Sequence, residues 1–241
     1  MTGHARPTKR LLLISNSTQH GSGYLEHCRD TIREFLGPSV ETILFVPYAL
    51  DDLDGYAAAA RAGFEPIGYR LESIHEKPDA RDAVQSAQAL FIGGGNTFRL
   101  LTRLYENDLL EEIRKRVAGG MPYIGTSAGS NVACLSIKTT NDMPIVYPPS
   151  FDALQLVPIQ LNPHFVDPQR DSRHMGETRE TRIKEFHEMN DEVVVAIREG
   201  AMLRVEGDRM TLEGTHGGVL FRRGQARRDL DAGADLSFLL E

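Results

Sequence analysis

No dense block of lysine or arginine occurs anywhere in the 241-residue chain, and 27 basic against 34 acidic residues leave a formal charge of −7. That balance argues against a surface for nucleic acid or anionic membranes. Cysteine is scarce. Cys28 and Cys134 fall in separate helix-compatible stretches without metal or redox spacing, so buried free thiols in a reducing compartment are expected. No pair among the eight histidines has the H-x-x-x-H zinc spacing with an intervening glutamate. No apolar run is long enough to span a bilayer, and Leu11 to Ile14, after the polar and basic Met1 to Arg10, is too short for a signal-peptide core. A cytoplasmic protein is expected, with residues 1–10 a polar leader and residues 11–241 one α/β domain. Internal repeats and low-complexity segments are missing as well.

Short apolar runs alternating with helix-compatible stretches fill most of the chain. Leu11 to Ile14, Thr42 to Val46, part of Glu65 to Ile74, Ala89 to Ile92 and the run into Ser127 read as buried strands. Between them, Tyr24 to Phe35, Tyr56 to Ala62, Ala80 to Ala87 and Leu100 to Val117 read as helices. This alternation predicts right-handed crossovers and a doubly wound, mostly parallel sheet with helices on both faces. Further strands are expected at Leu156 to Leu161 and Glu192 to Ile197, and a charged helix at Gly176 to Met189. Short antiparallel strands at 203–205, 210–212 and 219–221 close the chain.

Candidate chemistry sits at strand ends, where such sheets bind ligands. Gly125-Thr126-Ser127-Ala128-Gly129 has the G-x-S-x-G spacing of a nucleophile elbow, in which small neighbours let a tight strand-to-helix turn project the serine hydroxyl. The same residues would also serve as a plain turn before a helix. Gly93-Gly94-Gly95-Asn96-Thr97 follows another strand and lacks the G-x-G-x-x-G or Walker pattern. It suits the second half of an oxyanion hole, with Gly94 or Gly95 donating alongside Ala128, or simply a turn that needs positive φ. His164, in Asn162-Pro163-His164-Phe165 just past a strand, is placed to act as a base. His4, His20, His27, His75, His174, His187 and His216 have no such setting. Two carboxylates could orient it: Asp142 gives the order Ser…Asp…His, and Glu199 gives Ser…His…Glu. Arg179, on the charged helix, would match a carboxylate with its planar fork, or belong to a solvated face.

Taken together, Ser15-Asn16-Ser17-Thr18, Gly93 to Phe98, Gly125 to Gly129, Thr140 to Val146, Phe151 to Leu154, Asn162 to Phe165 and Gly176 to Arg179 resemble the peptidase E/cyanophycinase family of serine peptidases, in the family's order. The resemblance implies a cytoplasmic enzyme that removes an N-terminal aspartate from dipeptides without metal or cofactor. It implies Ser127 as nucleophile, His164 as base and an acidic partner, favouring Glu199, with Asn96 and Arg179 as substrate-binding candidates. The expected partner is a small peptide, and the expected state is a monomer or homodimer. Thr126, before the nucleophile, departs from the tryptophan of peptidase E and is similar to cyanophycinase. A hydrolase of β-aspartyl-arginine units is therefore the alternative enzyme, and a small-molecule binder on the same fold the non-enzymatic one.

Overall fold

The computed structural model describes residues 8–168 and 176–241. Residues 1–7 of the expected leader, with His4, and residues 169–175, with His174, lie outside the described residues. The chain runs β1 (Arg10–Ile14), α1 (Arg29–Leu36), β2 (Thr42–Val46), α2 (Leu53–Phe64), β3 (Arg70–Ser73), α3 (Ala80–Ser86), β4 (Ala89–Ile92), α4 (Thr97–Glu106), α5 (Leu109–Ala118), β5 (Tyr123–Thr126) and α6 (Ala128–Val132). It continues through β6 (Gln160–Phe165), α7 (Arg179–Met189), β7 (Val194–Arg198), β8 (Ala201–Glu206), β9 (Arg209–Gly214), β10 (Gly218–Phe221) and β11 (Arg228–Leu230).

Strands in the order β3-β2-β4-β5-β1 are all parallel, and β8 and β9 extend this sheet antiparallel beyond β1. Alternate side chains of a strand leave opposite faces. Leu11 and Leu13 of β1 accordingly join Leu100, Leu104 and Ile113 of α4 and α5 in one core. Leu12 and Ile14 join Ile32, Phe35 and Phe64 of α1 and α2 in the other. Burying each such side chain contributes roughly 1.5–3 kcal/mol, and at β1 both faces of the sheet are covered.

The expected sheet is only part of the structure. A second sheet, ordered β11-β10-β7-β6, pairs β6 and β7 parallel and the rest antiparallel. Its own apolar cluster, Phe165, Val194, Ala196, Val219 and Phe221, takes Ile183 from α7. The chain passes from the second sheet back to the first across Glu199-Gly200, between β7 and β8.

Three element boundaries differ from the sequence reading, each for a local reason. Leu25 adopts φ 57°, so Glu26–Cys28 form a 3₁₀ turn and α1 begins only at Arg29. Asp108 adopts φ 52° and divides the expected helix at Leu100 to Val117 into α4 and α5. The strand expected at Leu156 to Leu161 starts later and runs through Asn162, Pro163 and His164 to Phe165. His164 is thus inside β6, at a break in register with β7 between Asn162 and Phe165. A proline, which cannot donate to the ladder, is at home at such an irregularity. Cys28 and Cys134 are free and buried, and burial pushes each thiol up to about 12.

Candidate active site

β5 leads into Ser127, whose φ of 51° and ψ of −109° turn the chain sharply into α6. A non-glycine residue in this region costs about 1–3 kcal/mol and survives only where its surroundings hold it. The hold is visible. Ser127 N–H donates to the Ile14 carbonyl at 3.0 Å, and Ser130 Oγ donates to the Ile14 and Gly125 carbonyls at 2.8 and 2.9 Å. Both flanking glycines are required by close approach: a Cβ on Gly125 would fall 2.5 Å from the Gly129 carbonyl oxygen, and one on Gly129 would fall 2.1 Å from that of Ile92.

His164 reaches Ser127 from the second sheet. Its Nε2 lies 3.1 Å from Ser127 Oγ, and its Nδ1 lies 2.7 Å from Glu199 Oε1. Two members of this chain of contacts have left-handed backbones, since His164 has φ 55°. The carboxyl end of β6 is braced by a polar web: Asn131 and Thr139 donate to the Leu161 carbonyl, Asn162 to the Thr139 carbonyl, and Asn141 to the Pro163 carbonyl, at 2.7–2.9 Å. The His164 and Glu199 side chains are 36% and 55% exposed, so the contact is open to small ligands from solvent.

Asp142, the rival carboxylate, is engaged elsewhere. It accepts from the backbone N–H and the hydroxyl of Thr97, at 2.7 and 2.5 Å. Asn96 caps α4 by accepting from Arg99 N–H, and its amide donates to the Met143 carbonyl at 2.9 Å. Both ends of the Asn96 side chain are therefore tied into the scaffold. Gly94 packs against Ser127, because a Cβ there would lie 3.1 Å from Ser127 Cβ. Gly95 has φ 133° and little room, with the Ala49 carbonyl oxygen 2.7 Å from where its Cβ would be. Among the described residues, the amides of Gly94, Gly95 and Ala128 donate to no backbone carbonyl.

Arg179 opens α7 directly after the capping residue Thr178. Burial and the neighbouring Arg182 hold its pKa below the usual guanidinium value, while Asp142 and Glu199 push it back up. It therefore stands in the field of both carboxylates. The helix is moored to the second sheet by Arg227, which donates to Glu180, Asp167 and Asp229, each at 2.8 Å.

Several supports were not legible as such. Tyr56 from α2 backs the glycine loop, its hydroxyl 2.1 Å from where a Gly93 Cβ would be, so a side chain at that position would collide with it. His27 faces Glu199: burial lowers its pKa and the Glu199 charge opposes the shift. Thr126 is wholly buried, and its hydroxyl has no partner among the described residues. Tyr56 and His27 lie within no motif whose spacing marks them, and the G-x-S-x-G pattern leaves the residue at Thr126 unspecified.

Peptidase family S51 matches residues 11–213 of the chain. Peptidase E of Streptomyces coelicolor is 54% identical over 96% of this chain and 95% of its own. The probable alpha-aspartyl dipeptidase of Drosophila melanogaster is 50% identical over 97% and 98%. A solved peptidase structure from an acI-B1 actinobacterium shares the fold at a TM-score of 0.73 with 17% identity, over 97% of this chain and 98% of that one. A family match across most of the length, together with identities at this level, makes the chain a member of peptidase family S51.

Proposed function

We propose that the protein is a serine dipeptidase that hydrolyses Asp-Xaa dipeptides with a free N-terminal aspartate, through an acyl-enzyme on Ser127. The observation that carries this reading is the continuous line Ser127 Oγ, His164 Nε2, His164 Nδ1, Glu199 Oε1, at 3.1 and 2.7 Å. A serine is unreactive at its ordinary pKa and needs a base within hydrogen-bond reach and an orienter behind that base. His164 takes the Ser127 proton as Oγ attacks the peptide carbonyl. The Glu199 carboxylate holds the Nδ1–H tautomer and stabilises the imidazolium that forms. His164 then delivers the proton to the leaving amine, and water deprotonated by the same ring releases the acyl group.

The tetrahedral oxyanion is taken by the amides of Ala128 and Gly95, with Gly94 pressing the loop against the nucleophile. Removing one such donor costs roughly 3–4 kcal/mol in known cases. Arg179 pairs with the aspartate side chain through its planar fork. The name of the Drosophila relative, an alpha-aspartyl dipeptidase, supports the same specificity. A screen of Asp-Leu, β-Asp-Leu, Leu-Asp and Asn-Leu tests the reading. Cleavage of Asp-Leu far ahead of the other three, with Asn-Leu cut only weakly, is the expected result. Preference for the β-linked peptide would replace it with the isopeptide hydrolase, and no cleavage of any would leave a binder. Ser127→Ala should abolish turnover by several powers of ten without unfolding the chain.

A further inference from the structure

We propose that Ile14-Ser15-Asn16, at the carboxyl end of β1, is the template that sets the three reacting groups in register, with Ser15 the positioning residue for His164 and Asn16 that for Glu199. The inference rests on the reading of Ser127, His164 and Glu199 as the reacting set. Three consecutive residues each hold one of them by its backbone or its neighbour's. The Ile14 carbonyl accepts from Ser127 N–H at 3.0 Å. Ser15 Oγ accepts from His164 N–H at 2.9 Å and donates to the Ile197 carbonyl at 3.1 Å. Asn16 Oδ1 accepts from the N–H of Gly200, the residue after Glu199, at 2.8 Å, while its amide donates to the Thr18 carbonyl at 3.0 Å.

The arrangement matters because the nucleophile and its base stand on different sheets. Ser127 leaves β5 of the first sheet, whereas His164 is in β6 of the second, and no ladder joins those two sheets among the described strands. Their 3.1 Å contact therefore depends on side chains that reach across. Ser15 and Asn16 are 0% and 1% exposed, and the bonds from Ser15 to Ile197 and from Gly200 to Asn16 are buried away from competing water. A hydroxyl suits the first position because it accepts and donates at once. Without it, the part-buried His164 N–H loses its partner at a residue already in the left-handed region, and the bulge is free to relax. A displacement of about 1 Å costs on the order of 10²-fold in rate.

The test compares wild type with Ser15→Ala, each also in a His164→Ala background. Two readouts are used: kcat and KM for Asp-Leu, and the rate at which a fluorophosphonate labels Ser127. Labelling does not depend on which dipeptide is the substrate. Ser15→Ala should lower kcat and the labelling rate by about 10- to 100-fold, leave KM within about twofold, and have no further effect once His164 is alanine. The same loss in both backgrounds, or a loss expressed in KM, would overturn the proposal, because a general packing defect does not require the imidazole. If Ser15→Ala does not fold, Ser15→Cys, of similar size with a weakly accepting thiol, carries the same comparison. For Asn16, Asn16→Asp keeps the acceptor for Gly200 N–H and should retain more activity than Asn16→Leu; equal losses would overturn its role. Labelled wild type that fails to cleave Asp-Leu defeats the substrate reading alone, and wild type that is never labelled removes both.

Discussion

Asp142 accepts both the backbone N–H and the hydroxyl of Thr97, at 2.7 and 2.5 Å, and so pins the start of α4 just after the glycine loop. Glu199 instead meets His164 Nδ1 at 2.7 Å. The two carboxylates should separate cleanly by substitution. Glu199→Gln is expected to lower kcat by about 10²–10³-fold at nearly constant KM, less than the ~10⁴ of a buried orienter because Glu199 is half exposed to water. Asp142→Ala leaves two donors on Thr97 without their acceptor, a cost of about 1–3 kcal/mol each where buried, and should lower the unfolding midpoint. Kinetics and urea unfolding on both variants decide it; a Glu199→Gln enzyme with wild-type kcat would return the orienting role to Asp142.

Gly94 offers a sharper probe of the loop itself. A Cβ there would lie 3.1 Å from Ser127 Cβ, tighter than ordinary van der Waals contact. Gly94→Ala should therefore fold normally yet displace Ser127 or the loop by a few tenths of an ångström, lowering kcat by at least tenfold if Ser127 is the nucleophile. Unchanged turnover together with an unchanged melting temperature would mean that the loop gives way without functional consequence.

Arg179 stands in the field of Asp142 and Glu199. If it reads the substrate side chain, Arg179→Met should reduce kcat/KM for Asp-Leu far more than for Asn-Leu, since only the former carries the matching carboxylate. The reference substitution is Arg182→Met on the same helix, whose guanidinium faces Glu177 at 3.6 Å. An Asp-Leu to Asn-Leu ratio that stays constant in Arg179→Met would place the arginine outside the pocket.

His27 predicts a pH effect. Burial holds its folded-state pKa below the unfolded value of about 6.5. Between those two values the unfolded chain binds a proton that the folded chain does not, so this contribution to stability is complete above about 6.5 and declines as pH falls toward the depressed value. Urea midpoints at pH 7.5 and 5.5 should therefore drop more for wild type than for His27→Gln. Parallel drops would show that His27 titrates alike in both states.

The local pieces of the site were legible because short-range sterics dictate them. Gly125 and Gly129 bracket Ser127 since no side chain fits beside the Gly129 or Ile92 carbonyls, and that constraint leaves a spacing in the chain. The alternation of apolar runs and helices likewise announced the parallel sheet, because each buried strand must be covered on both faces. His164 was legible as a residue but not as a place. Ending the apolar run at Leu161 put it just past the strand, whereas its φ of 55° is accommodated within β6 at a break in pairing.

What the sequence by itself determined is the set of chemical groups and the turns that present them: Ser127 on its elbow, the glycine loop before Asn96, and a histidine beside a proline. Only the tertiary structure decided how they meet. Ser127 and His164 are 37 residues apart, and His164 and Glu199 are 35, so their contact depends on how a second sheet docks on the first. That docking rests on a shared apolar core, in which Leu161, Val195 and Ile197 join the cluster of Leu11 and Leu13, with long-range bonds such as Ser15 to His164, 149 residues apart, fixing its register. No local spacing encodes a partner at that distance. The same packing gave Asp142 to Thr97 and Glu199 to His164, a choice between two loop carboxylates of equal chemistry that geometry alone could make.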